Sequence, residues 1–327
     1  MNGKSFFAGL ALVGLAALSA GLAHAADKIK VVALQGTQLL PVRVMQARGI
    51  PAKYGLELDV MEVASPPASY TAMQTGDVQV GFTGWIVSAL LREKGFPLTN
   101  VYPMISYTND VLVKEGSPLK SLADLKGKRV GLFGGANSAT TWLYRLIVRK
   151  FYGFDAMKDS KIFFGAPPLL MGMLDRGDLD AALFLDPFIS QMLETGKYRS
   201  IGELGDLWRR NVHQNPMLVA VTVNEKWAKA NPDVVKRFLS AFRDAMTYLK
   251  NTPDAWKEFA KGMGIKTDRG VKIFYDRTAG AFIMNWDKKV VDEQYAYATE
   301  LYKTFGKQED IPERIPDGTF DLSYAPK

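Results

Sequence analysis

Nucleophilic triads and transition-metal sites draw on histidine or cysteine, and this chain has no cysteine and two histidines, His24 and His213. His24 falls in a leader expected to be removed, so His213 is the one imidazole left for such chemistry. It reads as an ordinary loop histidine. Asp175, Asp178 and Asp180 could suggest a cation site, but they fall at a predicted helix-to-strand turn, where solvated carboxylates are the simpler reading. Gly131, Gly134 and Gly135 lack the spacing of a dinucleotide fingerprint. No catalytic residue, metal ion or cofactor is expected.

The remaining polar residues suit recognition. In parallel α/β sheets, ligands sit beyond the carboxyl ends of strands, where helix amino termini offer unpaired N–H groups and partial positive charge. Predicted strand ends place Gly36, Thr37, Gln38, Ser65, Thr83, Gly84 and Trp85 in one half of the chain. In the other half they place Asn137, Ser138, Ala139, Thr140 and Asp186. Ser138 and Thr140 could equally cap a helix, and the two roles are compatible. Trp85 could stack on a ring, although beside an apolar helix a core role is the stronger reading. Asp186 ends an apolar strand, where an unpaired carboxylate is costly to bury. It receives a ligand N–H or ammonium, or pairs with an arginine such as Arg145. Asn109 and Asn215 are expected where the chain crosses between halves, and Arg209 and Arg210 read as solvated.

Those positions rest on an internal repeat. In the first copy, a predicted strand at 28–36 leads to a helix ending at Tyr54-Gly55, then a strand at 56–63, a loop with Pro66-Pro67, and a helix ending at Gly76-Asp77. A strand at 78–82 follows, and Thr83, Gly84 and Trp85 open the next helix. The second copy repeats these signposts: a strand at 128–133, a helix before Tyr152-Gly153, a strand at 161–164, Pro167-Pro168, a helix ending at Gly177-Asp178, and a strand at 181–185. Alternating strands and helices imply mostly parallel sheets flanked by helices. An apolar run at 216–223 must be a returning strand. Two crossings between two lobes make a hinge. The expected division is 26–110 with 218–327 as one lobe and 111–217 as the other.

Lys4, an apolar run from Phe6 to Leu22, and Ala23-His24-Ala25 have the pattern of a signal peptide cleaved near Ala25. Losing Lys4 lowers the formal charge from +7 to +6 (7 − 1). Basic residues are interleaved with acidic ones, so nucleic-acid binding is not expected.

The stretch from Ser121 to Gly131, together with Gly76-Asp77, the run Gly177 to Ala181 and Asp186-Pro187, resembles type II periplasmic solute-binding proteins of ABC importers. The similarity is to the nitrate/sulfonate/taurine and thiamine-pyrimidine-precursor branch. It implies a two-lobed periplasmic-binding-protein fold with two hinge crossings and a monomer that hands a small-molecule ligand to an inner-membrane permease. In relatives of the taurine type an acidic residue at the Asp-Pro position faces an amine. The expected cargo is a small organic anion, a sulfonate or carboxylate. An uncharged thiamine-pyrimidine-type heterocycle, or service as a ligand sensor for a membrane kinase, is the alternative.

Overall fold

The computed structural model describes residues 25–306, 311 and 313–326. The expected leader, residues 1–24, lies outside them. The first half runs β1 (Asp27–Leu34), α1 (Leu39–Ala47), α2 (Ile50–Lys53), β2 (Leu56–Val63), α3 (Pro66–Thr75), β3 (Val80–Gly84), α4 (Trp85–Glu93) and β4 (Leu98–Ser106). The next element, β5 (Asp110–Lys114), belongs to a second sheet. Then come β6 (Arg129–Leu132), α5 (Ala139–Tyr152), α6 (Ala156–Asp159), β7 (Lys161–Phe164), α7 (Pro167–Arg176), β8 (Ala181–Phe184), α8 (Phe188–Glu194), β9 (Tyr198–Glu203) and α9 (Leu204–Val212). The chain returns through β10 (Met217–Asn224) and closes with α10 (Glu225–Ala230), α11 (Pro232–Asn251), α12 (Ala255–Ala260), α13 (Asp268–Ala279) and α14 (Lys288–Phe305).

The repeat is visible in the topology. One sheet has the order β2-β1-β3-β10-β4 and the other β7-β6-β8-β5-β9. In each, three strands pair in parallel, and the strand that enters from the other lobe, β10 or β5, runs antiparallel to both its neighbours. Four of the five strands in each sheet therefore point the same way, which gives each lobe one common carboxyl end. The paired prolines start α3 and α7 at their first helical positions, where a missing N–H leaves no bond unmade.

One local reading changes. Thr83 and Gly84 are the last residues of β3, not the start of a helix, because their backbones pair with Ala220 and Val219 of β10. The carboxyl-terminal segment, expected in the first lobe as a whole, touches both. While α11 packs on α1, α13 lies against α8 and α14 against α5. Val235, Phe238, Leu239, Phe242, Met246 and Leu249 form the buried stripe of α11, as their spacing predicts.

Candidate functional site

A cavity of about 80 Å³ lies between the lobes at the common strand ends, lined by sixteen residues. From the first lobe come Leu34 after β1, Gln38 before α1, Pro66, Ser69 and Tyr70 of α3, Phe82 and Gly84 of β3, and Leu218 and Val219 of β10. From the second come Asn109 before β5, Phe133 and Gly134 after β6, Ser138, Ala139 and Thr140 at the start of α5, and Leu185 after β8. None of the sixteen carries a formal charge.

Two polar atoms in this lining are buried without a partner: Ser69 Oγ and Asn109 Oδ1. The Asn109 amide nitrogen donates to the Phe184 carbonyl at 3.3 Å, which fixes the orphaned atom as an acceptor. Buried polar groups are normally satisfied, so these atoms mark where a ligand's own groups complete the lining. Tyr70 adds an aromatic face. Burial pushes its hydroxyl up to about 12, partly opposed by a hydrogen bond from the Gly84 backbone, so it is neutral at any ordinary pH.

Of the residues expected from sequence, Gln38, Gly84, Asn109, Ser138, Ala139 and Thr140 line this cavity. Ser138 also caps α5, accepting from the Thr141 amide. Thr37 and Asp186 form its rim. The Thr37 hydroxyl donates to the Asp186 carbonyl across the lobes at 2.9 Å, and beside it Gly36 approaches Pro187 so closely that a Cβ would stand 3.1 Å from Pro187 Cδ. On the other side of this contact lies a hollow of about 400 Å³, also at the ends of β1, β2 and β8, lined by Gly36, Leu39, Arg43, Glu62, Phe188 and Met263 among others.

The other expected residues lie elsewhere. Ser65 and Asn137 are exposed and outside the lining. Thr83 points into a buried hydroxyl network with Ser88 and Thr222, at 2.6 Å from each. Trp85 is core, against Tyr297 and Phe320, because β3 continues to Gly84 and turns the indole inward. Asn215 borders a hollow behind the crossing strands, with Glu203, Asp276 and Arg277. His213 ends α9 in a left-handed conformation. Asp175 accepts from Tyr198, while Asp178 and Asp180 pair with arginines, and the described residues hold no group of acidic or histidine ligands suited to a metal ion.

Asp186 is paired within the protein, with Arg277 rather than Arg145. One carboxylate oxygen accepts from the Ser190 amide and hydroxyl, and the other from Arg277 Nε at 2.9 Å. Arg277 also reaches Asp110 Oδ2 at 3.0 Å and the Thr108 carbonyl at 2.6 Å, with Glu203 3.5 Å away. Burial works against this guanidinium's charge, but Asp186 and Asp110 hold it above its ordinary range. Asp110 is 1% exposed, and burial raises its carboxyl to about 6 against the pull of Arg277.

A native carboxyl raised in this way binds more protons than the unfolded chain between about pH 4 and about pH 6. Its contribution to stability is present at the acid end of that window and is lost as pH rises through about 6. Up to about 3 kcal/mol is involved. Melting the wild type and Asp110→Asn across this range checks it: the wild-type advantage should shrink as pH rises, and a flat or growing advantage contradicts the assignment.

Comparison with known proteins matches residues 36–256 to the family model described as NMT1/THI5 like. The taurine-binding periplasmic protein of Escherichia coli is 27% identical over 243 residues, covering 74% of this chain and 73% of that protein. The 4-amino-5-hydroxymethyl-2-methylpyrimidine phosphate synthase of Aspergillus parasiticus is 23% identical over 299 residues, covering 87% and 82%. Among solved structures, the periplasmic aliphatic sulphonate binding protein SsuA from Escherichia coli superposes with a TM-score of 0.72 at 20% identity, covering 89% of this chain and 96% of that one. The alkanesulfonate-binding protein SsuA from Xanthomonas axonopodis pv. citri, bound to MOPS, gives 0.73 at 18% identity, covering 91% and 99%.

Proposed function

Because the chain belongs to the NMT1/THI5-like family, we propose that it is the solute-capturing component of an ABC importer, exported to the periplasm and closing its two lobes over an unaltered small molecule. The observation that carries this reading is the interlobe cavity, with Ser69 Oγ and Asn109 Oδ1 buried in or beside its wall and unpartnered. A volume of about 80 Å³ is well below the roughly 300 Å³ where ordinary ligand pockets begin. Cargo therefore enters by parting the lobes about the crossings at 107–109 and 213–216. Residues 111–217 form one moving body, and 26–110 with the segment returning at 218 form the other. A monomer that delivers its cargo to an inner-membrane permease fits this form.

Of the two cargo classes expected from sequence, the lining favours the uncharged one. An anion would meet no cationic side chain here, and the Asn109 acceptor would face it with like partial charge. A compact neutral solute could present an N–H or O–H to Asn109 and lay a flat apolar body between Pro66, Tyr70 and Phe133. The synthases among the relatives make catalysis the second reading. The lining, however, offers no histidine, lysine, carboxylate or thiol to move a proton or attack a substrate.

The test is to refold the chain after denaturation and dialysis, then titrate it with 4-amino-5-hydroxymethyl-2-methylpyrimidine, taurine and MOPS while recording Tm, since a ligand of the native state raises stability with its concentration. The pyrimidine should raise Tm and be recovered unchanged. Asn109→Ala and Ser69→Ala should each weaken its binding about tenfold, the worth of one good hydrogen bond. A shift with taurine or MOPS alone overturns the neutral-cargo reading, and turnover of any solute overturns capture.

A further inference from the structure

We propose that Arg277, which does not line the cavity, is the residue that positions its reading group, Asn109, from behind. The proposal rests on the cavity being where cargo sits. Asn109 is bracketed by Thr108 and Asp110, and Arg277 holds both: Nη2 donates to the Thr108 carbonyl at 2.6 Å and Nη1 to Asp110 Oδ2 at 3.0 Å. Thr108 is held by its carbonyl and Asp110 by its carboxylate, so the chain is pinned on both sides of Asn109 while the Asn109 side chain lines the cavity. The same guanidinium takes Asp186 through Nε, directly after the lining residue Leu185. The Asp186 carbonyl in turn accepts the Thr37 hydroxyl from the opposite lobe.

One side chain thus ties together one backbone carbonyl and two carboxylates beside the site. Arginine can do this because its donors are rigid and coplanar, whereas a lysine ammonium on a flexible stem is a point charge that cannot serve three divergent acceptors. The strut comes from outside the repeat. Arg277 sits in the last turn of α13, which packs on α8, so a helix of the returning segment sets the geometry of a site built by the two sheets. A salt bridge of purely structural value would tie stability and affinity together. A positioning residue separates them.

The experiment uses the full chain, selectively ¹⁵N-labelled at asparagine and free of added solute, and follows the Asn109 side-chain amide by NMR. In Arg277→Lys, hydrogen exchange at that amide should rise about tenfold or more as its tether to Phe184 loosens, while the backbone amide of Asn224 at the end of β10 keeps its rate. Arg129→Lys, at the far end of the second sheet, should leave it unchanged. If Arg277→Lys does not fold, Asp110→Asn carries the test, with a smaller change in the same direction. In parallel, affinity for whichever of the three solutes shifts the wild-type Tm should drop about tenfold in a folded variant whose unliganded Tm is nearly preserved. Unchanged Asn109 exchange, or affinity that falls only in step with Tm, overturns the role of Arg277. Wild-type protein that ignores all three solutes counts against capture alone, because the amide readout needs no solute.

Discussion

Replacing Gly84 with valine should abolish solute binding while leaving a folded protein. Gly84 ends β3 with φ −61° and ψ 116°, a conformation open to any L-residue. A Cβ there would stand 3.6 Å from Tyr70 Oη and 3.7 Å from Ala139 Cβ, ordinary contact with both walls of the cavity. Alanine therefore fits. The two further carbons of valine reach beyond that contact, into a space of about 80 Å³ or against the first turn of α5 on the opposing lobe. Either way they occupy the volume the cargo needs or hold the lobes apart. Affinity should fall by at least about a hundredfold, roughly 2.7 kcal/mol, at a stability cost of about 1–2 kcal/mol for overpacking. Calorimetric titration beside a thermal melt checks both, and undiminished affinity would place the site elsewhere.

Gly205→Ala should be the more damaging change to the fold itself. Gly205 opens α9 directly over the first crossing, and a Cβ there would lie 1.9 Å from the Tyr107 carbonyl oxygen and 2.9 Å from its carbon. Those are backbone atoms, so no rotamer change relieves the clash. The crossing is also held by the Leu204 amide donating to the Asn109 carbonyl at 2.8 Å and by the Ser106 amide donating to the Ala281 carbonyl at 3.0 Å. Moving α9 away would strain or break the first of these. A loss of about 3 kcal/mol or more is expected, seen as a Tm lower by roughly 5 °C or more for a chain of this size. A fall below about 2 °C would show that the crossing yields, contrary to this packing.

Much of this architecture is legible in the sequence because it is written twice. The prolines before α3 and α7, the glycines that end those helices, and the apolar runs of β1, β3, β6 and β8 are local signals with local causes. They locate the strand ends and, with them, Gln38, Gly84, Asn109 and the start of α5. Side-chain direction was less legible. Thr83 and Trp85 fall away from the cavity because β10 extends β3 by two residues, a tertiary pairing that propensity does not report. Ser69 and Tyr70 could have been found, since one helical turn past the proline start of α3 faces the same way as the helix mouth. Arg277 could not. Nothing in the spacing of α13 distinguishes it from a surface arginine, and its partners lie 167 and 91 residues away, at the start of β5 and just beyond β8.

The capture claim is tested most directly by incubating refolded wild type and Gly84→Val with a small-molecule extract, removing unbound solute, and weighing each protein intact under native conditions before and after denaturation. The account predicts one small molecule per wild-type chain, released chemically intact, and none on Gly84→Val. Equal loading of both proteins, no loading of either, or release of an altered molecule would contradict it.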